Sequence, residues 1–493
     1  MTNLSDLFPA GAGKQVSFVA DGSISAAGKP VVLTAAGKVA PIGMTGDPEA
    51  SGQTTPSGTQ SVGGEYSGMA YDSHRSRLLI AFTEADWPNT GQCVSASISG
   101  TTATYGTAVT FSSNNVEKES VCFDSDNNVS LISYRDQTTS DYLHVVAVTM
   151  DVAGDLTIGT AVSAGDAAYT SSITYDITND VAVVAYRDGG NSNQGTCRVV
   201  SVSGTTPSFG AAANFNTGSH AYMDGQNIAH DSDENKFVVC YGDGANSIYG
   251  TAVVGSISGT TITYGTPVVF LSDAVYTSCI TFDSNSNKMV IAYIDQNDGE
   301  AVKAIVGTVS GTAISFGSAV EIAAKGEEFG IAFDSALNKV VLSYVERTTS
   351  DKGEFSVGTV SGTSSTWTTP VEFYSYLYSG ASMAYDANSG KSLVAYRQSD
   401  VGTFYLKANV LTTAGTNLTA ADLLGISDAA ISDTASGNIT VKGGIAVNGL
   451  SSLTPGTDYY AQGDGTISTS SSGDAVKLGR ALSATSIDLE YQS

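Results

Sequence analysis

Apolar and polar residues alternate through SCITFDSNSNKMVIAYID, residues 278 to 295. One apolar run ends at Phe282-Asp283, a polar stretch Ser284-Asn285-Ser286-Asn287 follows, and a second run ends at Tyr293-Ile294-Asp295. Period-two alternation on both sides of a Ser/Asn turn predicts a β-hairpin. The chain writes this hairpin seven times, anchored at Asp72, Asp124, Asp176, Asp231, Asp283, Asp334 and Asp386, with spacings of 52, 52, 55, 52, 51 and 52 residues. A fixed period of this size predicts a repeat fold. Each repeat carries a second marker: Ser99-Gly100-Thr101, Ala153-Gly154-Asp155, Ser203-Gly204-Thr205, Ser258-Gly259-Thr260, Ser310-Gly311-Thr312, Ser361-Gly362-Thr363 and Ala414-Gly415-Thr416. This Gly sits between two further alternating runs, so each repeat should hold four consecutive strands, the blade of a β-propeller. A linear β-solenoid is the competing reading, but its coils are shorter and contain no four-strand meander.

Outside the period the pattern changes. Residues 14–42 hold two short apolar runs, Lys29 to Leu33 and Lys38 to Ile42, around a turn at Ala35-Ala36-Gly37. That is one hairpin, which is marginal in water without partner strands. Residues 43–67 are a Gly/Ser/Thr/Pro-rich linker by composition. Near Asp422 the repeat register ends, and residues 420–493 read as an unrelated all-β segment with strands around 437–441, 459–462, 466–469, 476–481 and 486–489. Propeller ends meet, and insertions are tolerated where ends lie close together. The expected fold is therefore all-β: a seven-bladed β-propeller, residues 45–419, inserted into a small discontinuous β-domain made of residues 1–44 and 420–493. A rival assignment remains, since Gly22 to Val32 aligns loosely with Gly259 to Val269 and would then close the ring in the last blade.

The charge balance, 48 acidic against 22 basic residues for a formal net charge of −26, argues against binding nucleic acid or an anionic membrane, which need clustered Lys and Arg. Five scattered cysteines, Cys93, Cys122, Cys197, Cys240 and Cys279, lie mostly in apolar runs. They read as small buried hydrophobes of a chain folded in a reducing cytoplasm, without metal-ligand spacing. No cofactor is expected. The N-terminal MTNLSDLFPAGAGKQ lacks the basic flank and apolar core of a signal peptide, and no segment approaches the roughly 18 apolar residues of a membrane span.

Several stretches carry a resemblance. They are Leu424 to Asp428, Gly437 to Val441, Leu453 to Tyr460, Gly463 to Thr466, Gly479 to Ser483, and, near the start, Gly28 to Leu33 with Gly37 to Val39. This pattern resembles a small β-domain recurrent in virion proteins of tailed bacteriophages, marine and cyanophage fibre and appendage proteins in particular. It covers roughly 100 residues by the lengths of the two end segments, and it is a pattern of turns and strands rather than a catalytic signature. The resemblance implies a virion structural protein made in the host cytoplasm, attached through its base to other virion proteins, and multimerising as a homo-oligomer.

The ends of the second hairpin strands carry a recurring triplet. Glu84, Tyr134-Arg135-Asp136, Tyr186-Arg187-Asp188, Asp243, Tyr293 with Asp295, Glu346 and Arg397 occupy equivalent positions on successive repeats. By symmetry they would ring one face and hold a polyhydroxylated sugar or a cation. The bland reading is favoured: the aromatics pack between blades and the acids cap strand ends. The turns at Asp124, Asp231 and Asp283 resemble half a calcium loop but lack the Gly and distal Glu that complete one, and Asp and Asn suit tight turns anyway. The Ser-x-Asp-x-Gly-x-Thr-Trp box of sialidase propellers is absent. His74, His144, His220 and His230 show no Ser/His/Asp or Cys/His spacing. No catalytic or metal site is expected, and the chain is not read as an enzyme. Two function classes remain: an appendage whose propeller recognises a host-surface glycan, and a purely structural capsid decoration or adaptor subunit.

Overall fold

The computed structural model describes residues 14–34, 36–42, 48–56, 61–85, 89–216, 218, 220–348, 351–375, 379–400, 403–413, 418, 422–462, 465–471 and 475–489. Apart from two 3-10 turns, Gln137–Thr139 and Gly244–Asn246, their regular structure is entirely β and every strand pairing in the sheets is antiparallel. No helix among the described residues is long and apolar enough to cross a membrane. The chain divides into two compact units, Pro48–Thr413, and Met1–Asp47 together with Ala414–Ser493. The sequence pattern puts these borders at 44/45 and 419/420.

Within the larger unit each repeat is an antiparallel meander. In the fifth, the innermost strand Ser278–Asp283 pairs with Lys288–Asp295, that with Ala301–Ser310, and that with the short outer strand Ala313–Phe316. The anchoring Asp explains why the hairpin recurs. In all seven, its Oδ1 accepts the backbone N–H groups of the residues two and three further on. The residue four further on then adopts a left-handed φ, from 51° at Asn235 to 69° at Gly390. Asn and Gly tolerate that conformation best, which is why they recur there. The calcium-loop half-motifs at Asp124, Asp231 and Asp283 are these turns, in which Oδ1 of each carboxylate accepts from the backbone. The Gly of the second marker also lies at positive φ wherever it is described; Ala414-Gly415-Thr416 falls outside the described residues.

Packing follows from the two-residue period. The second strand of each hairpin is apolar on both faces, so alternate side chains enter different cores. In Lys288–Asp295, Met289, Ile291 and Tyr293 pack with Val238 and Cys240 of the preceding repeat. Val290, Ala292 and Ile294 pack with Ile331, Val340 and Leu342 of the following one. The same division recurs between each consecutive pair, and a last core joins Leu78 and Ile80 of the first repeat to Leu393 and Val410 of the seventh. The repeats therefore form a closed circuit, with the innermost strands neighbouring one another around it. All five cysteines are buried and unbridged within these cores.

The circuit is closed by the segment just ahead of the first repeat. Glu49–Ala50 pairs with Thr403–Thr412 as the outer strand of the seventh meander. The Val410 N–H donates to Ser51 Oγ at 2.8 Å, and Asn409 Nδ2 donates to the Ser51 carbonyl at 2.7 Å. Gly22 to Val32 does not fill this role. Pro30–Leu33 instead pairs with Leu423–Ser427 in the smaller unit, in a sheet ordered Gln15–Val19, Ser436–Val441, Leu423–Ser427, Pro30–Leu33, Val39–Pro41. A second five-stranded sheet runs Ile445–Ala446, Ser486–Asp488, Val476–Ser483, Asp458–Ala461, Ile467–Ser468. Val32, Ile42, Ile426, Leu478 and Ile487 share one core, so the N-terminal and C-terminal pieces are packed together. Leu423–Ser427 and Ile445–Ala446 are strands that the sequence pattern did not single out.

Candidate functional site

The innermost strands of the repeats, or in the fourth and fifth the residues leading into them, line a cavity of about 180 Å³. Small residues at the column four before the turn Asp let these strands approach closely. A Cβ on Gly68 would sit 2.8 Å from Ser120 Cα, and one on Gly330 would sit 3.1 Å from Met383 Cβ. Hydrogen bonds stitch neighbouring repeats between this column and the one just before it: Ser67 Oγ lies 2.7 Å from Ser382 Oγ, and Asn227 Nδ2 donates to Ser278 Oγ at 3.0 Å. Several innermost strands shift register here, two of them between Glu117 and Ser120 and between Glu327 and Gly330. Lys118 and Glu328, at equivalent places in those bulges, take left-handed φ values of 62° and 57°. Such conformations cost a non-glycine residue free energy, and bulges re-aim side chains.

Glu119 is the unusual group in the cavity wall. The Thr83 hydroxyl donates to its Oε1, while its buried Oε2 has no partner. Burial pushes its carboxyl up to about 7, only partly opposed by the Thr83 hydrogen bond. Beside it the Lys118 ammonium lies 3.8 Å from the Asp224 carboxylate. Among the described residues no group of three or more His, Cys, Asp or Glu side chains is placed to hold a metal ion.

Where the innermost strands begin, the column seven before the turn Asp reads Glu117, Tyr169, Asp224, Tyr276 and Glu327 in repeats two to six. These residues meet the second-strand ends from the other side of the hairpin. Arg135 pairs with Glu117 and, at 2.8 Å, with Asp141. Tyr169 lies beneath two guanidiniums, with its ring centroid 5.1 Å from Arg135 Cζ and 4.7 Å from Arg187 Cζ. Further round, Asn193 Nδ2 is 3.1 Å from His220 Nε2. His220 stacks on Tyr222 at 5.9 Å, and Tyr222 meets Tyr276 edge-on at 5.0 Å. His220 is exposed and Tyr276 is 39% exposed. The result is a run of partly exposed rings and polar groups spanning the second to the fifth repeat.

Most of the triplet residues singled out from sequence lie elsewhere in role. Tyr134, Tyr186 and Tyr293 are fully buried in the cores between repeats, so their rings reach no ligand. The acids are engaged locally. Asp136 Oδ1 accepts the Thr138 and Thr139 N–H groups at 2.9 and 3.2 Å, and Asp188 Oδ1 accepts the Gly190 N–H at 2.9 Å. Asp243 Oδ1 accepts Ala245 N–H at 3.0 Å and Asn216 Nδ2 at 2.7 Å. Asp295 pairs with Lys303 at 3.0 Å, Glu346 accepts the Thr348 N–H, and Glu84 accepts the Thr90 hydroxyl at 2.9 Å. A ring of free carboxylates is thus not formed, because each terminates its own strand. Arg397 stacks on Phe404, its Cζ 3.8 Å from the ring centroid. Only Arg135 and Arg187 project to the aromatic run. Their partners Glu117 and Tyr169 were not singled out from sequence, nor were Tyr222 and Tyr276, although for Glu117, Tyr169 and Tyr276 a column of charges and aromatics seven residues before the turn Asp was visible in the period.

No family model matches the sequence, and no curated protein matches it. Among solved structures, the BP39L lectin from Burkholderia pseudomallei is similar in fold: the TM-score is 0.50 at 13% identity, over 72% of this chain and 98% of that chain. AofleA from Arthrobotrys oligospora aligns more loosely, with a TM-score of 0.38 and 8% identity over 66% of this chain and 92% of that chain. Sqt1 from Chaetomium thermophilum gives a TM-score of 0.43 and 9% identity over 73% and 87%. At these identities the likeness concerns the fold alone, an all-β architecture of the β-propeller kind.

Proposed function

We propose that the chain is a non-enzymatic virion appendage subunit whose seven-bladed β-propeller recognises host-surface glycan through the face carrying His220, Tyr222 and Tyr276. The propeller is read as an insertion in the smaller β-domain, which supplies attachment to other virion proteins and assembly into a homo-oligomer. The observation that carries glycan recognition is the run of partly exposed rings interleaved with Arg187 and Asn193. Sugars offer one apolar C–H face and a rim of hydroxyls, and aromatic rings beside fixed donors and acceptors match both. The acids and tyrosines of the triplets expected to ring one face are engaged at strand ends and in cores. The virion part rests on the base-domain resemblance.

The test is binding of the labelled full-length chain to a glycan array and to host envelope, with Tyr222→Ala and Tyr276→Ala as variants. Saturable binding reduced at least about tenfold by either variant, a loss of about 1.4 kcal/mol, with melting temperature unchanged, supports the reading. No saturable binding, together with regular copies of the labelled protein on the particle shell by electron microscopy, would replace recognition with a decoration role. Absence from any particle would remove the virion role.

A further inference from the structure

Arg135 and Arg187 occupy the same place in consecutive repeats but have opposite electrostatic surroundings. In the second repeat two carboxylates, Glu117 and Asp141, neutralise Arg135. In the third, Tyr169 stands seven residues before the turn Asp where Glu117 stood, and Asn193 stands where Asp141 stood. Asp141 and Asn193 each lie five residues beyond the strand-end Asp and have φ of 63° and 60°, so the backbone sites are equivalent. Both changes remove a negative charge. Arg187 makes no ion pair among the described residues, and its Nε is buried without an acceptor. Asn193 Oδ1, on the residue that replaces Asp141, is also buried and unpartnered. Tyr169 holds the guanidinium in place by stacking, and among the described residues no carboxylate meets its in-plane N–H edge.

In a chain with 48 acidic residues against 22 basic, a partly buried guanidinium that lacks both of the carboxylates its counterpart has is an arrangement suited to an anion arriving from outside. We propose that Arg187 selects an acidic sugar, taking the carboxylate of a uronic-acid-type residue through its guanidinium fork, with Tyr169 and His220 flanking the sugar ring. The inference rests on the reading of this face as a glycan site and narrows its substrate class. A planar carboxylate matches the fork with two parallel N–H···O bonds, and a neutral hydroxyl cannot.

The experiment compares binding of the full-length chain to an oligogalacturonate and to its carboxyl-reduced counterpart by calorimetry. The expected result is at least about tenfold tighter binding of the acidic probe. Asn193→Asp, which returns the second repeat's counter-ion, and Arg187→Gln should each bring the affinity ratio close to one. Asp tolerates the left-handed site, so the fold should be retained, and melting temperatures check this. Equal affinities in the unaltered chain, or a ratio unmoved by Asn193→Asp, overturns the proposal. Failure of both probes also overturns it; the glycan reading itself then stands only if neutral glycans bind on the array with dependence on Tyr276.

Discussion

Replacing Glu119 with Gln should stabilise the protein at pH 8 and leave it nearly unchanged at pH 4. The folded state holds the Glu119 proton up to about 7, against an ordinary carboxyl value of 4.5, because burial disfavours the charged form. The carboxyl therefore contributes its full stability below about pH 4.5, where both states are protonated. As pH rises the unfolded chain ionises first, and the contribution is lost by the time pH has passed about 7. At roughly 1.36 kcal/mol per pH unit the loss is about 3 kcal/mol. The Glu119→Gln variant carries no such loss, since the amide is neutral throughout and its oxygen still accepts from Thr83. All other ionisations are common to both proteins and cancel in the difference. The assay is thermal unfolding of both proteins from pH 4 to pH 8. A gain of about 2 °C per kcal/mol for a unit of this size gives a gap that widens by about 6 °C. A gap that stays constant across this range would refute the assignment of a buried, protonatable Glu119.

Two further substitutions test the architecture. Asn409→Ala removes both the amide that holds the Ser51 carbonyl and the oxygen that accepts the Tyr396 hydroxyl at 2.6 Å, so a loss of about 2 to 4 kcal/mol is expected. Hydrogen exchange should show the 49–51 segment and the seventh meander opening together. Asp124→Ala deletes the acceptor for the Asp126 and Asn127 N–H groups; about 1 to 3 kcal/mol should be lost, with faster exchange at those two amides and unchanged exchange at the equivalent turn of Asp283.

The repeat was legible because three independent physical signals coincided in every period. They are the two-residue alternation of the strands, the Asp whose carboxylate caps the turn, and the residue four further on, most often Asn or Gly, at left-handed φ. Glu49–Ala50 was not legible, since two residues in a Gly/Ser/Thr/Pro-rich stretch have no periodicity to read and become a strand only by pairing with Thr403–Thr412. The candidate face was half legible for a related reason. Reading along one strand found Arg135 and Arg187 but also flagged Tyr134, Tyr186 and the strand-end acids, because alternation says that neighbours face opposite ways without saying which way is outward. Of the residues that complete the candidate face, Tyr276 lies just ahead of Ser278–Asp283 and joins the face through Tyr222, while Tyr169 lies on the strand adjoining that of Arg187. Tyr169 is set beside Arg187 by hairpin register, a through-space relation that needs the paired backbone.

The closure of the circuit has a mechanical consequence. Thr412 lies opposite Glu49 in the last sheet, so the two covalent links of the larger unit, ahead of Pro48 and after Thr413, leave from the same end of one antiparallel pair. Tension applied through both links together loads these strands side by side in the same direction and exerts no shear across their ladder. Tension on a single link would instead peel Glu49–Ala50 from its partner. Anchoring by both ends at once therefore spares the two-residue closing strand from carrying the load alone.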